Sequence, residues 1–372
     1  MILFPTVDED YQYFVSQGYN GSINDMHYQA LGVLGYTGSY TDRLYAYLIA
    51  TYGSYHQALA DLRSGVSTFA LGDQTYTTEF VMIVATTTAS ETFSIPCQNV
   101  GTFNATIDWG DNSDHSTITA YNDAALTHTY ATVGDHVIRI TGTFPNIYFN
   151  SGGDKLKVKS VENLGVVGWT RLNRAFYGCS NMTSFTSGTT ATSAVTDMSV
   201  MFYNCTGLTS LDVTNFNTTL VTNMWSMFRG CSSLTSLDVS SFNTAAVTDM
   251  SSMFYSCTVL ASLDVTNFNT ALVTDMSSMF YNCTVLTDII GVDTFNIGGL
   301  DSTGDLSSFA LNVSLPTARY DALLLAWEAQ DPFDGMSPNF GSSTYTGGGA
   351  VATARASLIS RDGWTITDGG VA

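Results

Sequence analysis

The chain of 372 residues is poor in basic side chains, in proline and in histidine. It carries 12 lysines and arginines against 32 aspartates and glutamates, which gives a formal net charge of −20 at pH 7. Nucleic acids and anionic membranes bind basic surfaces, so this excess of acidic side chains argues against both as partners. The chain also has only six prolines. Its five histidines leave little material for a histidine-based site.

Long apolar runs and the short motifs of common enzymes are also absent. A membrane helix needs an apolar run of about 18 residues, and no run in this sequence comes near that length, so no membrane insertion is predicted. The start, Met1-Ile-Leu-Phe-Pro-Thr-Val-Asp-Glu-Asp, lacks the basic and apolar regions of a signal peptide. Gly-x-Ser-x-Gly, His-Glu-x-x-His, phosphate-loop and Cys-x-x-Cys motifs are missing. The sequence therefore predicts no enzymatic activity and no cofactor, and it disfavours a glycan depolymerase.

An internal repeat of 26 residues is the strongest positive feature. Five cysteines follow one another at this spacing: Cys179, Cys205, Cys231, Cys257 and Cys283. A fixed period of this length is typical of solenoids. In each unit Met, Met and Phe at i, i+3 and i+4 predict a short helix, and Leu-x-x-Leu-x-Val predicts a short strand. The expected fold is an α/β solenoid of about five 26-residue coils.

The repeats resemble a known family. Leu211-Asp-Val-Thr-Asn-Phe-Asn-Thr, followed by Val221-Thr-Asn-Met-Trp-Ser-Met-Phe-Arg-Gly-Cys, is similar to the BspA-type leucine-rich repeat of bacterial surface antigens and mycoplasma lipoproteins, which also occurs in bacteriophage genomes. The resemblance covers roughly residues 171–310. It implies an extracellular adhesion or binding role without enzymatic activity.

A second, shorter repeat lies near the N-terminus. Gly18-Tyr-Asn-Gly-Ser-Ile-Asn-Asp-Met26 recurs 17 residues later as Gly35-Tyr-Thr-Gly-Ser-Tyr-Thr-Asp-Arg43. Each copy combines a glycine turn, a capping residue and a short amphipathic helix. The pattern resembles helical Gly-Tyr-Thr-Gly-Ser repeats of tailed-phage virion proteins, which implies docking onto other virion proteins. A small helical domain of no particular role is the alternative.

Between these repeats the pattern changes to alternating apolar and polar residues. Trp109-Gly-Asp111 and Tyr130-x-x-x-Gly134 resemble the hallmarks of a polycystic-kidney-disease-type (PKD) Ig-like sandwich, although Asn112 replaces the usual second glycine of the turn. Asp108, Asp111 and Asp114 lack the glycine and closing glutamate of a calcium loop, so a structural turn is expected.

The expected organisation is therefore multidomain. It comprises a helical anchor module (1–66), a PKD/Ig-like β-sandwich (67–150), the leucine-rich-repeat solenoid (151–310) and a C-terminal cap (311–372). In the cap, Tyr320–Glu328 and a segment beginning at Val351 predict helices that cover the last coil.

The third repeat departs from its neighbours at two positions, and these positions mark the candidate binding residues. The residue after Met-Phe is Tyr203, Arg229, Tyr255 or Tyr281, and the third coil carries Trp225 where others carry serine. Trp225 and Arg229 are four residues apart and are predicted on one helix face. Tryptophan, arginine and tyrosine favour a recognition patch for protein or sugar. Alternatively, Trp225 packs against a neighbouring domain or subunit, as in a homo-oligomer.

Two further columns have structural and functional interpretations. The aligned cysteines are expected to be buried and reduced, because a single line of thiols suits neither a zinc site nor a natural disulfide pairing. Asp212, Asp238 and Asp264 occupy one strand position and are predicted to point outward in line. They form either a weak divalent-cation column or a row of solvated carboxylates.

Together these features predict a structural virion protein of a tailed phage, located in the virion. We expect an adhesin-type fibre or tail appendage that contacts a host-surface glycan or protein through the repeats. A capsid decoration protein or head fibre is the alternative, and a cellular surface adhesin is a lesser one because no signal peptide is present.

Overall fold

The computed structural model describes residues 78–188, 190–300 and 305–372, which lie in one compact unit, Thr78–Ala372. The predicted helical module of residues 1–66 lies outside the described residues. The unit is mainly β-structure, with the strands β1 (Phe80–Thr86), β2 (Glu91–Ser94), β3 (Asn104–Asp108), β4 (Ser116–Ile118), β5 (Thr127–Tyr130), β6 (Gly134–Thr143), β7 (Val158–Asn163), β8 (Ser184–Thr186), β9 (Ser210–Asp212), β10 (Ser262–Asp264) and β11 (Asp288–Ile290).

Helices are few in the described part of the chain. The α-helices are α1 (Thr317–Glu328) and α2 (Gly349–Ser360), and short 3-10 helices span Ala124–Leu126, Lys155–Lys157 and Val292–Thr294. Both α-helices were predicted, and their existence is confirmed. Neither has the length and apolar character needed to cross a bilayer.

One sheet joins segments that the sequence analysis treated separately. Its strand order is β4-β3-β6-β1-β7-β8-β9. Strand β1 pairs antiparallel with β6 on one side and with β7 on the other. The pairs β7–β8 and β8–β9 are parallel, whereas β2 and β5 form a separate antiparallel pair. The antiparallel region therefore continues directly into the parallel repeats through β7.

The predicted α/β solenoid of helix–strand coils is wrong. No α-helix forms in the described residues between 171 and 300, where the repeats consist of successive turns and strands of three residues. Each unit contains left-handed residues, such as Ser226 (φ 53°) and Gly230 (φ 73°), whereas a helix needs φ near −60° at every residue. Nor do the strands of the repeats form one continuous sheet, since the large sheet ends at β9 and β10–β11 form a separate parallel pair.

Hydrogen bonds between units take the place of helical hydrogen bonds. The N–H groups of Val200 and Phe202 donate to the carbonyls of Trp225 (2.8 Å) and Met227 (2.9 Å) in the next unit. Intervening amides bond within their own turn, as Met201 N–H does to Met198 O (3.4 Å). The left-handed residues thus let alternate amides reach the next unit, which satisfies backbone groups that would otherwise be buried without partners.

A single hydrophobic core extends through the unit. Its centre is a stack of buried rings with successive centroid distances of 5.9, 5.9, 5.6 and 5.6 Å: Phe176, Phe202, Phe228, Phe254 and Phe280. Phe309 packs edge-on against the last of these rings, and Trp327 of α1 packs against Phe309. The C-terminal segment therefore covers the end of the phenylalanine stack.

Candidate functional site

The column that follows the buried phenylalanines forms a continuous row of side chains, here called the ladder: Tyr177, Tyr203, Arg229, Tyr255 and Tyr281. Backbone bonds between units fix its spacing, for example Asn204 N–H to Arg229 O and Gly230 N–H to Tyr255 O, both 2.8 Å. Ring centroids are 4.7 Å apart at the first tyrosine pair and 4.4 Å apart at the last. All five side chains are half-buried.

Arg229 lies inside the ladder, between two tyrosine rings. Its guanidinium carbon is 3.8 Å from the ring centroid of Tyr255 and 5.2 Å from that of Tyr203. Both distances fall within the range of about 6 Å for cation–π attraction. Burial, together with Tyr281, raises the pKa of Tyr255 above its usual value, so this hydroxyl stays protonated and can donate a hydrogen bond.

Trp225 is 39 % exposed, whereas Ser199 and Ser251 at the equivalent positions are buried. The prediction that Trp225 and Arg229 share a helix face is wrong, because the left-handed Ser226 lies between them and no helix forms. The Arg229 guanidinium instead contacts the tyrosines of the neighbouring units. Packing of Trp225 against another domain or subunit stays a prediction.

A polar column next to the ladder was not recognised in the sequence. It consists of left-handed residues that directly follow the ladder residues: Gly178, Asn204, Gly230, Ser256 and Asn282. Asn282 Nδ2 donates to Ser256 Oγ at 3.2 Å. The Asn204 amide oxygen occupies the space that a Cβ at position 230 would need, so a side chain there would have to displace this amide. The recurrence of Asn, Ser and Gly before each cysteine was the available signal.

The aspartate column proposed as a cation site has a turn-forming role. Asp212, Asp238 and Asp264 each accept a hydrogen bond from the backbone N–H two residues on, at 2.9–3.0 Å. Hydrogen bonds from Ser240 and Thr266 lower the pKa of Asp238 and Asp264, respectively. In the described ranges, no group of three or more His, Cys, Asp or Glu side chains is arranged to hold a metal ion. A calcium response of this column stays a prediction.

A second acidic column lies on the isolated bridges between units: Asp197, Asn223, Asp249, Asp275 and Asp305. Asp275 Oδ1 accepts the Ser277 N–H at 2.8 Å, just as Asn223 Oδ1 accepts the Trp225 N–H. Burial raises the pKa of Asp275, with contributions from the neighbouring carboxylates of Asp249 and Asp305. Asparagine therefore makes the same turn without the charge.

We expect Asp275→Asn to raise the free energy of unfolding at neutral pH by up to about 1 kcal/mol, because it removes a partly buried charge and its repulsion from the aligned carboxylates of Asp249 and Asp305. As the pH falls, a carboxyl whose pKa is raised by folding becomes protonated in the folded state before it does in the unfolded state. The gain should therefore shrink as the pH falls through the Asp275 pKa. Urea unfolding at several pH values measures it. Asp197→Asn is the control, since Asp197 is 3.7 Å from Arg171 and should not stabilise when neutralised; equal gains would refute the explanation.

The cysteine column is buried, as predicted. Cys205, Cys231, Cys257 and Cys283 have no exposed surface and form no disulfide. Each thiol contacts a phenylalanine carbonyl of the preceding unit at 3.0–3.3 Å, for example Cys231 Sγ and Phe202 O. Burial raises the pKa of these thiols, which keeps them protonated.

In the native protein these buried thiols should therefore resist thiol reagents, and the melting temperature should stay unchanged in reductant. Thiolate is the reactive form, and neither access nor deprotonation is available in the folded state. Labelling followed by mass spectrometry checks this, with urea-unfolded protein as the positive control. Rapid native labelling of Cys205, Cys231 or Cys257 would disprove the packing role.

The Trp-Gly-Asp turn at residues 109–111 is structural, as expected. Asp111 accepts hydrogen bonds from Ser113 and from His128 Nε2, the latter at 2.7 Å. Burial acts to raise the pKa of Asp111, but these hydrogen bonds hold it at about 2. His128 also stacks on Trp109 with a centroid distance of 5.0 Å. These contacts fix the turn against the sheet.

A shallow cavity of about 630 Å³ lies where the first strands meet the first repeats. Its walls include Lys157 and Lys159, with Thr87, Glu91 and Asn181 beside them. Lys157 is paired with Glu91 (3.1 Å) and with Asp154 (2.8 Å). The lysine is thereby neutralised within the wall, and sequence reasoning did not identify this cavity.

Comparison with known proteins gives one family match. A model of the family described as "Mycoplasma protein of unknown function, DUF285" matches residues 170–292, which is less than half of the chain. No curated protein and no solved structure matches. The similarity therefore covers the repeats that carry the ladder.

Proposed function

We propose that the chain is a structural virion protein of a tailed phage, displayed outward as an adhesin-type fibre or tail appendage that binds the host surface. The observation that carries the binding role is the ladder. It sets an arginine and four tyrosines in one half-buried row on the repeats, with Trp225 exposed in the same unit as Arg229. Tyrosine, tryptophan and arginine dominate the energetics of recognition surfaces.

The virion assignment depends on the N-terminal Gly-Tyr-Thr-Gly-Ser repeat, which lies outside the described residues. In this proposal residues 1–66 contact other virion proteins, while the compact unit Thr78–Ala372 faces outward. A capsid decoration protein or head fibre is compatible with the same arrangement and differs in where residues 1–66 attach. The protein acts by binding and performs no chemistry.

A cellular surface adhesin is the second candidate, since the matched family, whose function is unknown, is described from Mycoplasma, a cellular organism. The ladder would serve recognition in this case too. The two candidates differ in whether the chain is a component of a virus particle.

The test is the protein content of purified particles of the phage that encodes the chain. Full-length protein should be present, and deletion of residues 1–66 should leave a soluble 67–372 fragment that is absent from particles. A full-length Tyr203→Ala/Tyr255→Ala variant is the control and should be incorporated normally. Absence of the full-length protein from particles would refute the virion assignment, and incorporation of the truncated chain would refute the anchor role.

A further inference from the structure

We propose that the Arg229 position of the ladder binds the carboxylate of an acidic saccharide, an inference that rests on the proposed role of the ladder in adhesion. Between Arg174 and Arg319 the sequence contains ten aspartates, no glutamate, and Arg229 as its single cation. That cation is held between tyrosine rings, and among the described residues no carboxylate forms an ion pair with it. Because this arginine has no carboxylate partner among the described residues of the acidic repeats, we infer that its partner is an anionic ligand.

The geometry of the arginine selects the kind of anion. Tyrosine rings lie against the guanidinium from both neighbouring units, at 3.8 and 5.2 Å. The N–H donors of a guanidinium lie in its plane and point outward from its edge. Held between these rings and only half-buried, the guanidinium keeps N–H donors at its edge for a ligand. A planar carboxylate matches that edge, because two parallel N–H···O bonds form in the same plane.

The neighbouring groups favour a saccharide as the carrier of the carboxylate. Tyr255 and Tyr281 stack face to face, and Tyr177 lies tilted by 39° against Tyr203, so much of the ring surface is covered by a neighbouring ring and the hydroxyl groups remain for a ligand. The adjacent column adds the amides of Asn204 and Asn282 and the hydroxyl of Ser256. This surface of hydroxyl and amide groups suits the many hydroxyls of a sugar chain, whereas a protein partner would need apolar anchor pockets.

The surrounding charge limits how acidic the ligand can be. With one cation and ten aspartates across these repeats, a densely charged polyanion is repelled over the Debye length of about 8 Å at physiological salt. A chain with isolated carboxylates, such as a uronic acid placed between neutral sugars, presents one charge to Arg229 and neutral hydroxyls to the rest. The inferred ligand class is therefore a sparsely carboxylated polysaccharide.

The experiment uses the full-length protein and an array of bacterial polysaccharides that contain uronic acids, each printed beside its carboxyl-reduced form. We expect the native forms to bind at least about tenfold more tightly than the reduced ones, as for loss of a hydrogen-bonded charge partner. Arg229→Tyr places the residue of the neighbouring units in the column, so the variant should fold, and it should lose this preference. Arg171→Gln removes the same charge from a residue paired with Asp197 outside the ladder and should keep the preference.

The outcomes separate this inference from the proposed function. Equal binding of native and carboxyl-reduced polysaccharides, or a preference retained by Arg229→Tyr, would overturn the carboxylate site and leave adhesion standing. Loss of the preference in Arg171→Gln would show a general charge effect and would also overturn it. An array of acidic peptides and binding to host cells are measured in parallel. Binding to the acidic peptides but to no polysaccharide would reassign the site to a protein partner. Full-length protein that binds neither the polysaccharides, nor the peptides, nor host cells would contradict adhesion as well.

Discussion

Phe254→Ala is expected to lower the free energy of unfolding by about 3–5 kcal/mol. The ring is fully buried and stacks between Phe228 and Phe280, with both centroid distances 5.6 Å. Removing it leaves a cavity that the units cannot close, because hydrogen bonds such as Phe254 N–H to Met279 O (2.9 Å) fix the backbone spacing. Urea unfolding followed by circular dichroism measures the loss.

Phe333→Ala is the matched control, since it makes the same chemical change at a side chain that is 44 % exposed. Its effect should stay within about 0.5 kcal/mol, as for ordinary surface substitutions. If both variants lose similar amounts, the phenylalanine stack is not what holds the repeats together.

Asp368→Asn should destabilise the C-terminal segment by about 3–5 kcal/mol, the usual cost of removing one partner of a buried ion pair. The Asp368 side chain is 3 % exposed and accepts hydrogen bonds from Arg355 Nε (2.8 Å) and Nη2 (3.1 Å). The Tyr320 hydroxyl donates to the same carboxylate at 2.7 Å, and burial together with Asp368 raises the pKa of Tyr320. An asparagine would leave the Arg355 charge uncompensated.

Asp331→Asn provides the comparison for this substitution. Its carboxylate is 88 % exposed and lies 3.3 Å from Arg361. Exposed ion pairs contribute about 0–1 kcal/mol, so the melting temperature should hardly change. A melting temperature of Asp368→Asn as high as that of Asp331→Asn would show that the buried pair does not hold the C-terminal segment in place.

The interior of the repeats could be predicted because the period fixes it. Once the cysteines set a spacing of 26 residues, Met227, Phe228 and Cys231 had to face the same way in each unit. All three are fully buried, as expected. The repeat itself supplied this information, since a residue type that recurs in register occupies the same environment in every unit.

Local conformation and long-range pairing could not be predicted in the same way. Ser226, Ser252 and Ser278 look like ordinary polar positions of an amphipathic helix, yet all three have φ of 53–55°. Their left-handed conformation is maintained by hydrogen bonds to the next unit, which no local pattern reveals. The β1–β7 pairing likewise joins residues about 80 apart and depends on the folded sheet rather than on either segment.

The candidate site shows the same division. The column of Tyr203, Arg229 and Tyr255 was identified because Arg229 differs from its neighbours in an otherwise regular repeat. Its geometry was missed, because a helical interpretation paired Arg229 with Trp225 instead of with the tyrosines of adjacent units. The contacts of a ladder run between units, and helix spacing cannot predict them.

The central claim is that the ladder of a displayed protein binds the host surface, and inhibition of phage adsorption tests it most directly. Purified full-length protein, added to host cells before the phage, should raise the titre of unadsorbed particles. The Tyr203→Ala/Tyr255→Ala variant, confirmed as folded, should not do so, while Tyr121→Ala, which alters a 37 % exposed tyrosine outside the ladder, should inhibit like the unmodified protein. Equal inhibition by the ladder variant and the unmodified protein, or no inhibition by either, would contradict the claim.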